Sequence, residues 1–159
     1  MGIRRGAVSR RGAGLAAAAI GSAVAVLGSP MPSAVADPVA SLRAAVLQAR
    51  GQSCGELRSD PLVEQAAQNV NRSTDEWLSF TARAVPVPDP LPLLHDLGYD
   101  GGKATMVLGA GNTEADAIKG LLLQGFDKIP DCAYTDYGVS VVKNETSGYF
   151  LTALVLAGA

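Results

Sequence analysis

Histidine, tryptophan and cysteine are scarce in this 159-residue chain, which holds one His, one Trp and two Cys. The two cysteines, Cys54 and Cys132, are far apart in sequence. No Cys-x-x-Cys pair exists, so the redox and zinc motifs built on that spacing are excluded. Gly109-Ala110-Gly111-Asn112 is glycine-rich but lacks the Lys and spacing of a phosphate loop. The uncharged apolar run from Gly14 to Gly28 is about 15 residues, short of the roughly 20 that cross a bilayer core.

What surrounds that run gives it a different meaning. Arg4, Arg5, Arg10 and Arg11 precede it, no acid occurs before Asp37, and Ser29, Pro30 and Pro32 break a helix after it. Ala34-Val35-Ala36 then supplies the small residues of a signal-peptidase site. A cleavable signal peptide is expected over residues 1–36, cut between Ala36 and Asp37, with an N-terminal anchor as the alternative. Ser9-Arg10-Arg11 is faintly similar to a twin-arginine signal, which leaves the export route open. Losing this segment removes four of 13 basic residues and none of 15 acids, for a net charge of about −6. Phosphate and anionic-lipid contacts need clustered basic side chains. Nucleic-acid partners and a stable membrane anchor after cleavage are therefore not expected. The protein should be secreted or associated with the cell envelope.

The remaining span, 37–159, is of single-domain size. In an oxidising compartment two cysteines favour a bridge over two separate buried thiols, so Cys54 and Cys132 are expected to pair. Asp37-Pro38 and Asp60-Pro61 each combine an N-capping carboxylate with a residue suited to the first helical position. Apolar residues follow at helical spacing after both, and the second helix should end between Asn71 and Trp77. Four prolines between Ala84 and Pro92 end regular structure before a short helix over Leu91 to Leu97. Met106-Val107-Leu108 suits a short strand or a buried loop. Thr113 and Asp116 form a capping pair for a helix from Glu114 to about Gln124. Alternation over Tyr137 to Val142, turn residues Asn144 to Gly148 and an apolar stretch Tyr149 to Leu156 predict an antiparallel hairpin. Its last strand has two apolar faces, so helices should cover both sides of the sheet.

This order of elements resembles the CAP superfamily, the secreted cysteine-rich, antigen 5 and pathogenesis-related proteins, especially its small bacterial members. The likeness lies in Leu42-Arg43-Ala44-Ala45-Val46, in Leu57-Arg58-Ser59-Asp60-Pro61-Leu62 with Leu62-Val63-Glu64-Gln65-Ala66-Ala67, in Leu94-His95-Asp96-Leu97-Gly98-Tyr99 and in Tyr137-Gly138-Val139-Ser140-Val141. It implies an α+β fold, a three-layer α-β-α sandwich around a small antiparallel sheet ending in the C-terminal hairpin. The family's cleft often holds two His and two Glu that bind a divalent cation. Here no acid lies over Lys103 to Met106, and no His lies near Gly125 or Phe126 or between Asn71 and Pro86. A zinc site needs three or four ligands. No metal or other cofactor is expected.

A few constellations remain. His95 and Tyr99, four apart, suit one pocket as an acid–base pair or haem ligands, or else a surface His and a packed Tyr. Ser73-Thr74-Asp75-Glu76 would need His95 as its base to act as a nucleophile. Gly109 to Asn112 reads as a tight turn. Asn144-Glu145-Thr146 matches an N-glycosylation sequon and equally suits a hairpin tip. Trp77 and Phe80, beside the proline-rich stretch, either line a ligand groove or plug the core. These features point to a non-enzymatic binding protein with a catalytic inventory of none. Its ligand would be an apolar small molecule, a lipid or a protein, with Trp77, Phe80, His95 and Tyr99 as candidate contacts. An exported hydrolase and a cell-envelope interaction module are the alternatives.

Overall fold

Three helices begin with the same dipeptide. In the computed structural model, which describes residues 37–52 and 54–159, Asp37, Asp60 and Asp89 each accept a hydrogen bond from the backbone two residues on. Each is followed by the proline that opens the helix: α1 (Pro38–Arg50), α2 (Pro61–Leu78) and α3 (Pro90–Asp96). The expected leader and its Ala36–Asp37 cut lie at or beyond the start of the described residues. α3 starts one residue earlier than the apolar spacing predicts, because Asp89-Pro90 caps it as the other two pairs cap theirs. α4 (Glu114–Gln124) follows Thr113, whose hydroxyl accepts the Asp116 amide at 3.2 Å.

The strands are β1 (Arg58–Ser59), β2 (Lys103–Gly111), β3 (Asp136–Lys143) and β4 (Phe150–Gly158), in the order β1-β3-β4-β2. The β3–β4 hairpin and the β2–β4 pair are antiparallel; β1, absent from the sequence reading, joins β3 in parallel through Arg58 and Ser59. β4 runs down the middle of an open sheet and is buried from Leu151 to Gly158. Leu42 and Val46 of α1 and Leu121 of α4 pack on Val107, Val139, Leu154 and Leu156. On the other face Val63, Ala66, Ala67 and Val70 of α2 and Leu94 of α3 pack on Ala153, Val155 and Ala157. The fold is the expected α+β sandwich, with helices on both faces of a four-stranded sheet.

Two glycine positions seat the helical layers. A Cβ on Gly138 would stand 2.3 Å from the Glu64 backbone, so only glycine lets α2 lie directly on β3. On the opposite face a Cβ on Gly109 would meet the Ala117 carbonyl at 2.3 Å. The expected turn over Gly109 to Asn112 is corrected here. Gly109 and Gly111 belong to β2, and their lost side chains admit α4 rather than reverse the chain. β2 is consequently nine residues long, not a short strand or loop.

Cys54 and Cys132 are bridged, with Cα atoms 5.2 Å apart across a separation of 78 residues. Arg50, at the end of α1 and 4% exposed, holds the same loop without covalent help. Its guanidinium donates to the carbonyls of Ile129 and Asp131 at 2.7 Å and Tyr134 at 2.8 Å. A buried cation without a carboxylate partner requires such a set of oriented dipoles.

Candidate binding surface

Polar side chains gather at the two ends of β3. At its start, Asp136 is buried and accepts from Arg58 Nε at 2.7 Å, the Tyr99 hydroxyl at 2.7 Å and the Thr135 hydroxyl at 3.2 Å. Burial alone would push the Asp136 carboxyl up. The bonds from Arg58 and Tyr99 and the guanidinium charge outweigh it and hold the carboxyl below its ordinary value. Burial first, and then the Asp136 carboxylate, push the Tyr99 phenol upward. This cluster joins α3's exit, β1 and β3.

Just past the end of β3, Asn144 is fully buried. Its amide donates to Asp75 Oδ1 at 2.8 Å and to the Ser79 hydroxyl at 2.8 Å, and lies 3.2 Å from the Asp75 carbonyl. Its oxygen accepts the Ser147 amide at 2.6 Å. The sequon reading is thereby corrected: in the folded chain the Asn144 amide is enclosed, and it ties the hairpin turn to the C-terminal end of α2.

The sequence-named pair is not brought together. His95 is exposed, with Nε2 at 2.9 Å from the Gly101 carbonyl, while Tyr99 turns to Asp136. Ser73 donates to the Val70 carbonyl at 2.8 Å and accepts the Val87 amide at 3.2 Å, which fastens the proline-rich segment to α2. Among the described residues no group of three or more His, Cys, Asp or Glu is close enough to hold a metal ion, and no helix is long and apolar enough to cross a membrane.

Trp77 and Phe80 do not plug the core. Trp77 is 47% exposed and Phe80 91% exposed. Phe80 follows the helix in a left-handed conformation, φ 58°, while the Thr81 amide bonds back to the Glu76 carbonyl. That is the position glycine usually fills at a helix end. A phenylalanine there carries backbone strain of about 1 kcal/mol and an unburied ring. Neighbouring Leu78 lines a cavity of about 150 Å³ with Leu108, Gly109, Ala110 and Gln124. A second cavity of about 260 Å³ continues along Met106, Val107, Leu108, Gln124 and Lys128. The first reaches from Asn71 and Thr74 of α2 to Leu151 and Thr152 of β4, the second follows β2, and Leu123 and Phe126 stand exposed on either side of Gln124 in the chain. The sequence hid this surface because its parts come from α2, β2 and α4.

Larger concavities lie elsewhere: one of about 570 Å³ at the end of α1, lined by Leu47, Arg50, Cys54 and Leu57, and two between α2 and the β1–β3 side of the sheet. One of about 410 Å³ is lined by Glu64, Gln68, Arg72 and Asp75 together with β3, and lacks exposed large apolar side chains.

The sequence matches no family profile and no curated protein. Among solved structures the fold is similar to an outer surface protein from Borrelia burgdorferi, with a TM-score of 0.59 and 12% identity, over 76% of this chain and 92% of that one. It is similar also to a cysteine-rich secretory protein from Staphylococcus aureus, with a TM-score of 0.51 and 15% identity. That second likeness covers 77% of this chain and 38% of the other, so this chain spans well under half of that protein's length. At such identities the likeness is one of fold.

Proposed function

We propose that this chain is an extracytoplasmic, non-enzymatic binding domain of the CAP-like kind, and that it takes a polypeptide partner at the apolar end formed by Trp77, Leu78 and Phe80. Its location is supported by the leader-like N-terminus, the disulfide and the outer-surface and secretory character of the two structural neighbours.

One observation carries the binding reading. The interior polar side chains Asp136, Asn144, Arg50, Asn71 and Ser73 are spent on holding the fold, whereas large apolar side chains stand in solvent at one end of α2. Exposed apolar surface rimmed by polar residues marks an interaction site. Size then selects the ligand class. The adjoining cavities, about 150 and 260 Å³, fall below the range of roughly 300–1,000 Å³ that encloses small-molecule ligands. A polypeptide needs no enclosure, only anchors such as exposed aromatics. This favours a protein over the lipid or apolar small molecule that the sequence reading put first.

Trp77 is the single tryptophan and reports on the site directly. Peptides selected from a random displayed library against the purified full chain should shift its emission. Phe80→Gly should weaken that binding tenfold or more, while stability changes by less than about 1 kcal/mol, because relief of the left-handed backbone offsets added freedom in the unfolded chain. Binding indifferent to Phe80, or ester or peptide turnover abolished by His95→Ala, would overturn the reading.

A further inference from the structure

The two edges of the sheet are treated differently. Beyond β1, the outer side of β3 is enclosed. Arg43 of α1 and Glu64 of α2, from opposite faces, meet at 3.0 Å across that edge, and Val139 is only 1% exposed. Among the described residues the outer side of β2 has no such cover, and β2 pairs with β4 alone. The Ala157 carbonyl accepts from Thr135 on the β3 side, so odd-numbered residues of β4 face β3 and even-numbered ones face β2. Thr152, Leu154 and Leu156 therefore bond to Gly109, Val107 and Thr105. The N–H and C=O groups of Ala104, Met106, Leu108 and Ala110 point outward, and among the described residues no turn or loop backbone group bonds to them.

Stable monomers guard such an edge with charge, proline, a bulge or brevity. β2 has nine residues, no proline and one charge, Lys103. Even that lysine is drawn inward, bonded to Asp131 at 3.0 Å and lying over the Tyr134 ring at 4.5 Å. Lys128, in the edge cleft, is neutralised by Asp127 at 3.4 Å.

We infer that β2 pairs with β2 of a second copy, antiparallel about a two-fold axis, so that two four-stranded sheets become one. Charge decides between this arrangement and a parallel one. Centred on Val107, the antiparallel register uses the whole strand, sets Met106 against Leu108 of the second copy, and places each Lys103 beside a glycine. The two lysines then stand about 27 Å apart at the rise of a strand, whereas parallel pairing would put them side by side. Leu123 and Phe126 flank the edge and supply the apolar contact that a strand pair alone lacks. The aromatic ends of α2 fall at opposite ends of the joined strands and stay free for the partner proposed above.

Sedimentation of the full chain, from low micromolar to near-millimolar concentration, tests this together with amide hydrogen exchange. The expected result is a reversible dimer in which the amides of Ala104, Met106, Leu108 and Ala110 exchange slowly. Ala104→Pro removes an outward N–H and Ala110→Lys adds charge at the Leu78 end of the edge, so each should give a monomer with unchanged near-ultraviolet circular dichroism, while Lys143→Glu on the other edge leaves the dimer intact. A monomer throughout, a dimer surviving both β2 variants, or an edge that takes up a library peptide in place of a second copy overturns the inference. The Phe80-dependent binding is read separately, from Trp77 emission in Phe80→Gly and Ala104→Pro, because Ala110 also lines the Leu78 cavity.

Discussion

The two ends of β3 are pinned by different chemistry. At the Asp136 end a carboxylate is shared among a guanidinium, a phenol and a hydroxyl, and Arg58 is largely in solvent. At the Asn144 end a neutral amide is buried completely and joined to Asp75, Ser79 and Ser147. The first end has reinforcement nearby, in the disulfide and the Arg50 clamp on the loop that leads into β3. No comparable brace stands at the second among the described residues. The Asn144 amide itself has no charge to lose, whereas a carboxylate–phenol pair should loosen at both extremes.

Asn144→Asp should break the comparison most strongly. It replaces a donor with a carboxylate facing the Asp75 carboxylate, and should cost about 3 kcal/mol or more at neutral pH. Urea unfolding should show part of that loss recovered in acid, as protonation restores a donor. Next, Asp136→Asn should cost about 2 kcal/mol by weakening three bonds. The Asp136 carboxyl is held low in the folded chain. Its stabilisation is therefore complete above the unfolded value of about 3.9 and is lost as pH falls through the folded value. The variant should flatten that acid limb. Tyr99→Phe should have the smallest effect, about 1 kcal/mol. Its phenol is pushed up in the folded chain, so its contribution is present below about pH 10 and lost as pH climbs through the raised value. Alkaline unfolding of the variant should begin at higher pH.

Local chemistry was legible where it acts over a few residues. Asp-Pro pairs marked helix starts, alternation marked β3, and an apolar stretch on both faces marked β4 as a strand covered from above and below. The candidate site was only partly legible. Trp77 and Phe80 stood out as aromatics beside a proline-rich segment, but nothing in the sequence says that Phe80 adopts a left-handed backbone in solvent. His95 and Tyr99, four residues apart, suited a shared pocket. Gly98 lies between them at φ 91°, so the helix has ended before Tyr99 is reached and the two side chains part.

The sequence by itself determined that two helical layers must cover a sheet whose last strand is apolar on both faces, and that the two cysteines should meet. Only the tertiary structure decided which strand became the open edge. It also decided that Gly109 and Gly138 are seats for helices and that a sequon asparagine is locked inside. Those outcomes depend on strand order and on contacts between segments dozens of residues apart, and neither is encoded in the spacing of neighbouring residues.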